Sequence, residues 1–140
     1  MNALQIVVIA CGKKKTTTAS EAARLYTSTQ FKYSLAYARS IASADRIRIL
    51  SAKHGLLKLD DSIEPYDCTW GDVGCVTLDA LRKQASVEVT NRWLSFMPKR
   101  YYAFFSLAVP SAVNIKPKGL NMFTLCSWTR SHFGEVVFNE

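Results

Sequence analysis

No two of the four cysteines in this 140-residue chain, Cys11, Cys68, Cys75 and Cys126, stand as Cys-x-x-Cys. That excludes the common zinc-binding spacings. Residues 1–10 also lack the charged-then-apolar-then-small order of a secretory signal, so the cysteines are expected reduced and the protein cytoplasmic. Long hydrophobic runs are missing. The longest, residues 6–11, is far short of the roughly 20 residues that span a bilayer, so no membrane partner is expected. Internal repeats, low-complexity tracts and linkers are absent too, which leaves one domain over residues 1–140. Acidic side chains are the minority, 11 against 18 Lys and Arg, for a net charge of +7.

What is present fits a packed domain: 49% of residues are hydrophobic and 21% charged, enough apolar side chain to exclude wholesale disorder. The positive charge is dispersed, with 10 basic and 6 acidic side chains in residues 1–70 and 8 and 5 in residues 71–140. A polyanionic partner, nucleic acid or nucleotide, is consistent with it, though dispersed charge says less than a clustered stripe.

Residues 4–10, Leu-Gln-Ile-Val-Val-Ile-Ala, read as a strand buried on both faces. Thr27 or Ser28 then caps an amphipathic helix carrying Phe31, Leu35, Ala38 and Ile41 and ending near Ser43. Residues 46–51 read as strand two, closing a right-handed strand-helix-strand unit. Residues 52–74 show no sustained period and are expected as a long ordered loop anchored by Leu56, Leu57, Ile63, Tyr66 and Trp70. Thr77 caps a second helix with Leu81, Ala85, Val89 and Trp93 at four-residue steps, stopped by Pro98. Residues 101–107 and 121–127 complete the set as strands three and four. The expectation is a small three-layer α/β/α domain with a mainly parallel sheet of about four strands.

In such a sheet, ligands sit beyond the carboxyl ends of the strands. Cys11-Gly12-Lys13-Lys14-Lys15 follows strand one, with a glycine for a tight turn and lysines for an anion, or simply as a solvated basic turn. A nucleotide-triphosphate loop is excluded, because its first glycine would fall on Val7. Ser51-Ala52-Lys53-His54-Gly55 follows strand two and brings a hydroxyl, an ammonium and one of two histidines to the same edge. His54 titrates near neutrality and suits proton movement or carbonyl polarisation, and equally suits a hydrogen bond within its own loop. Ser51 as a nucleophile activated by His54 would need a special loop. Asp60, Asp61, Glu64 and Asp67 surround Tyr66, offering a general base or a plain acidic loop. Metal ligation has no spacing behind it, and no cofactor is implied. Tyr26, Phe31, Lys32, Tyr33, Tyr37 and Arg39 interleave rings and charge as base-stacking surfaces do, or as a helix face does. Trp128, Arg130 and His132 are selected by no spacing.

Taken together, Cys11-Gly12-Lys13-Lys14-Lys15, Leu25-Tyr26-Thr27-Ser28, Ser51-Ala52-Lys53-His54-Gly55-Leu56-Leu57 and Ile63-Glu64-Pro65-Tyr66-Asp67 resemble the DUF6884 family of bacterial, archaeal and phage proteins. That family is in turn distantly similar to uracil-DNA-glycosylase-like α/β domains, including those of tRNA deazaguanine-modification enzymes. The resemblance implies a nucleobase as subject and Cys11, Gly12, Lys15, Tyr26, Ser51, Lys53, His54, Gly55, Asp60, Pro65, Tyr66 and Asp67 as site positions. It also implies Gly-Lys or Gly-Arg after strand three, where this chain has Phe105-Ser106-Leu107-Ala108.

The resulting expectation is a nucleobase- or nucleotide-directed enzyme, glycosylase-like or base-modifying, acting on DNA or RNA. Lys13 and Lys15 would hold phosphate, with Tyr26 and Tyr66 flanking the base. His54 would stabilise charge on its carbonyl, and Asp60 or Asp67 would orient water. The alternative is a non-catalytic module that binds a nucleotide, a nucleic acid or a protein partner, such as a phage-borne inhibitor. A purely structural role is the third.

Overall fold

A computed structural model describes residues 5–68, 73–90 and 92–116. In chain order the elements are β1 (Gln5–Ala10), β2 (Ser20–Glu21), α1 (Ala22–Leu25), α2 (Thr29–Ile41), a single 3-10 turn (Ala44–Arg46), β3 (Ile47–Ser51), β4 (Gly55–Lys58), β5 (Ser62–Ile63), α3 (Leu78–Ser86), β6 (Arg92–Phe96), α4 (Lys99–Ala108) and β7 (Val113–Asn114).

The β-branched run of β1 takes the centre of a five-stranded sheet of order β4-β3-β1-β6-β7. It pairs in parallel with β3, Val7 against Ile47, and with β6, Ile6 against Trp93. β7 continues the parallel set at one edge, and β4 turns back antiparallel on β3 at the other. Side chains alternate across the pleat. Val7 and Ile9 pack with Leu25, Phe31, Leu35 and Ala38 of α1 and α2 on one face; Ile6 and Val8 pack with Leu81 of α3 and Phe105 of α4 on the other. This is the expected three-layer α/β arrangement, with mostly parallel strands. Ser28 caps α2 by accepting from the Phe31 N–H, and Thr77 caps α3 by accepting from Ala80.

Several expectations change. The helix begun at Thr77 stops at Ser86, and Trp93 belongs to β6. The four-residue spacing of Leu81, Ala85, Val89 and Trp93 is therefore accidental: Val89 is exposed, while Trp93 and Met97 alternate with Leu94 and Phe96 across a strand. Residues 101–107 form a helix instead of strand three, because Phe105 with its i−4 and i+4 neighbours Tyr101 and Val109 makes one apolar stripe. Pro98 starts that helix from the N-cap, at φ −59°, rather than ending the one before.

Residues 52–74 hold β4 and β5, with Leu57 and Leu59 buried, so they are not one long loop. Cys68 and Cys75 are joined as a disulfide, with Cα atoms 6.4 Å apart, against the expectation of reduced cysteines. Gly74, just before Cys75, lies at φ +94°, in a region that glycine adopts without strain. Residues 121–127, together with Trp70, Cys126, Trp128, Arg130 and His132, lie outside the described residues.

With strand three relocated to β6, the residues that follow it are Met97-Pro98-Lys99-Arg100-Tyr101. The Gly-Lys or Gly-Arg expectation was placed against the wrong segment. The carboxyl ends of β1, β3 and β6 now meet at one sheet edge, and β3 and β6 lie on opposite sides of β1. That makes the β1/β6 boundary the switch point where open α/β sheets leave a crevice.

Candidate functional site

Ser51 ends β3 with no exposed surface. Its Oγ accepts the Lys53 N–H at 3.2 Å and the His54 N–H at 3.0 Å, which occupies both lone pairs. Its proton therefore goes to the Tyr66 hydroxyl, 2.6 Å away. Tyr66 stands 2.6 Å from the hydroxyl of Tyr26, a ring 1% exposed and packed on Phe31. Burial pushes both phenols up, Tyr26 to about 12 and Tyr66 further, so both stay neutral at physiological pH. The chain of three hydroxyls joins β3, the segment after β5 and the residue after α1.

Cys11 follows β1 beside this chain. Its half-buried thiol lies close enough to the Ala52 N–H, the hydroxyls of Tyr66 and Tyr101 and the Lys15 ammonium for each to favour its thiolate. Burial outweighs these donors and raises its pKa, so the thiol keeps its proton. Lys15 folds back over the cluster, donating to the Lys13 carbonyl at 3.0 Å with its ammonium 4.4 Å from the centre of the Tyr66 ring. Burial lowers its pKa, and Cys11 and Asp67 partly offset that. The His54 ring meets Tyr66 edge-on at 5.3 Å. Burial and then Lys53 push its pKa down, which keeps the imidazole neutral near pH 7. Lys53 itself is exposed, its ammonium 5.9 Å from the Tyr66 ring centre.

Gln84 of α3 locks this arrangement in place. Its side-chain nitrogen donates to the His54 carbonyl at 2.8 Å and its oxygen accepts from the Leu56 N–H at 2.9 Å. Gly55 sits between them at φ +77°, where any Cβ would run into Gln84. Neither Gln84 nor Tyr101 was selected from sequence. Tyr101 was assigned to a strand; Gln84 left only a faint signal, a polar residue three positions after Leu81 on the apolar face.

At the β1/β6 switch point lies a cleft of about 400 Å³. Gly12, Lys13 and Lys14 form one wall, the first residues of α2 a second, and Pro98 and Tyr101 a third. Gly12 is required by close approach, since a Cβ there would lie 2.9 Å from the Ser28 Oγ that caps α2.

Cys11, Lys15, Tyr26, Ser51, Lys53, His54, Tyr66 and Asp67 thus gather at one edge, with Gly55 shaping the turn and Gly12 and Lys13 in the adjoining cleft. Asp60 does not join them. β4 carries the chain from Gly55, opposite Ser51, to Lys58, opposite Arg48 at the far end of β3, and Asp60 lies exposed just beyond. Tyr26 cannot flank a base, because its ring is enclosed, and Lys15 is turned away from the cleft. Among the described residues, no three His, Cys, Asp or Glu side chains gather as metal ligands, and no helix is long and apolar enough to cross a membrane.

The model of a protein family described as a family of unknown function, DUF6884, matches residues 6–115, from β1 through β7. No curated protein and no solved structure matches the chain.

Proposed function

The chain belongs to the DUF6884 family, and from that premise we propose that it is a nucleobase- or nucleotide-directed enzyme, of N-glycosidase or base-modifying type, working on DNA or RNA in the cytoplasm. One observation carries the reading: a hydrogen-bonding cluster whose buried groups are pushed toward their neutral forms adjoins a cleft lined by lysines and, among the described residues, by no carboxylate. A nucleobase is uncharged, flat and rich in donors and acceptors, whereas the phosphate attached to it is anionic. The two halves of the site match the two halves of that ligand.

In this mechanism the neutral imidazole of His54 donates to a base carbonyl and stabilises the charge that develops there. Tyr66, fixed by Ser51 and Tyr26, presents one oriented hydroxyl, and Cys11 presents a thiol. Asp67, exposed beside Lys15, orients water or a replacing nucleophile. Tyr26 and Ser51 are positioning residues. Cys68–Cys75 would be a local exception to the reducing compartment.

The test is mass spectrometry of bases and nucleosides after incubation with modified and unmodified DNA, RNA and free nucleotides. Product is expected with the wild type and lost with His54→Ala and Asp67→Ala. Full activity in both variants overturns the assignment.

The non-catalytic reading has its own support: the same neutral shift leaves Cys11 protonated, so its thiol is not activated as a nucleophile in the free protein. It expects nucleotide, nucleic-acid or protein binding without turnover, and any product in the assay above defeats it.

A further inference from the structure

Four serines lie within the described helices, and three of them, Ser40, Ser86 and Ser106, return their proton to the carbonyl three residues back. Such back-bonding is how a helical serine ordinarily satisfies itself. Ser34 does not. It is 7% exposed, its hydroxyl has no hydrogen-bond partner among the described residues, and it lines the cleft at the β1/β6 boundary. A buried hydroxyl without a partner is unfavourable in the free protein and suited to a ligand that supplies the missing acceptor.

Three further features of the cleft name that acceptor's chemistry. Lys13 and Lys14 stand on its wall, and among the described residues neither Asp nor Glu does. The N–H groups of Thr29 and Gln30, in the first turn of the thirteen-residue α2, have no acceptor within the helix, because only Phe31 is served by the Ser28 cap. They meet the cleft with the positive end of the helix dipole. Neither α2 nor α4, whose first residues form the opposite wall, has an acidic residue in its first turn, whereas α3, away from the cleft, has Asp79.

We infer that this cleft is a subsite for a phosphate monoester, held by Lys13, Lys14, the free N–H groups of α2 and the Ser34 hydroxyl. It deepens the nucleotide reading and rests on that reading only for what the phosphate is attached to. Lys15, expected from sequence to hold phosphate, has no part in it.

The test measures thermal stability and calorimetric binding of the full chain at constant ionic strength. Inorganic phosphate, uridine monophosphate and uridine serve as probes against chloride. Phosphate is expected to raise the melting temperature, and uridine monophosphate to bind more tightly than phosphate or uridine alone. Ser34→Ala is expected to weaken phosphate binding about tenfold while leaving the free protein as stable as the wild type or more so, since it removes an unsatisfied group. Lys13→Ala with Lys14→Ala, both on an exposed loop, is expected to weaken binding by at least about tenfold. A 5′-phosphorylated oligonucleotide distinguishes a strand terminus from a free nucleotide as the source, and binding of either supports the subsite. Phosphate binding with no gain from uridine monophosphate upholds the cleft and overturns the nucleobase reading. Equal stability in phosphate and chloride, or an affinity indifferent to Ser34→Ala, overturns the cleft, and uridine binding in the same titration then leaves the nucleobase reading standing.

Discussion

Gln84 bonds both flanks of the Gly55 turn, and the two amide groups it serves belong to His54 and Leu56. Gln84→Ala leaves both without a partner and is expected to cost about 1 to 2 kcal/mol. The loss should be local: hydrogen exchange at the Leu56 N–H accelerates while the β1 amides keep their protection. An unchanged Leu56 amide would show that the turn holds without the clamp. Ser51 and His54 were legible because they sit in a turn-forming motif directly after a strand-like run, and Tyr66 because its Pro-Tyr-Asp segment concentrates polar groups in an otherwise aperiodic stretch. Gln84 was not, because its partners lie about thirty positions away in sequence and nothing local marks them. Tyr26 was legible as a site position but not in its role. Whether a ring stacks on a ligand or holds a neighbour depends on what covers it, and Phe31 and Tyr66 cover this one.

At the scale of elements, residues 101–107 give the sharpest contrast between two patterns. As a strand they would put Phe105 and Leu107 on one face; in α4, Phe105 is fully buried and Leu107 is 58% exposed. Phe105→Ala is therefore expected to destabilise by about 3 to 5 kcal/mol, and Leu107→Ser by no more than about 0.5 kcal/mol. Chemical denaturation of the two variants checks this, and equal losses would favour the strand. β1, α2 and β3 were readable because each carries an uninterrupted period of its own and a clear stop or cap. The stretch from Thr77 to Ala108 was not, since its aromatic and β-branched residues satisfy helix and strand spacings alike. Pro98 misled because a proline limits the helix before it and is equally at home at the start of the next.

Across the whole molecule, the Arg48–Glu88 pair ties β3 to the segment after α3. Both guanidinium contacts to Glu88 are short, 2.8 and 2.9 Å, and Arg48 also donates to the carbonyls of Asp45 and Ile47. Hydrogen bonding to Arg48 holds the Glu88 carboxyl below its ordinary 4.5. Its contribution is thus complete above that value and lost as pH falls through the lower, folded one. Glu88→Gln is expected to lose about 3 kcal/mol near neutrality, the low end for breaking a buried pair because Glu88 keeps some exposure. The gap between variant and wild type should narrow in acid, and urea melts across a pH series would expose a gap that stays constant. The +7 charge, by contrast, is dispersed along the sequence, and among the described residues only its share on the loop after β1 meets the cleft. The order of the sheet also sets a timetable for the nascent chain. β1, β3 and β4 can pair once residue 58 has left the ribosome, and Tyr66 follows soon after; Pro98 and Tyr101 emerge about forty residues behind β4, several seconds at ordinary synthesis rates. During that interval one edge of the hydrophobic β1 is open to any passing strand, so the crevice is the last part to be built and the first to be at risk.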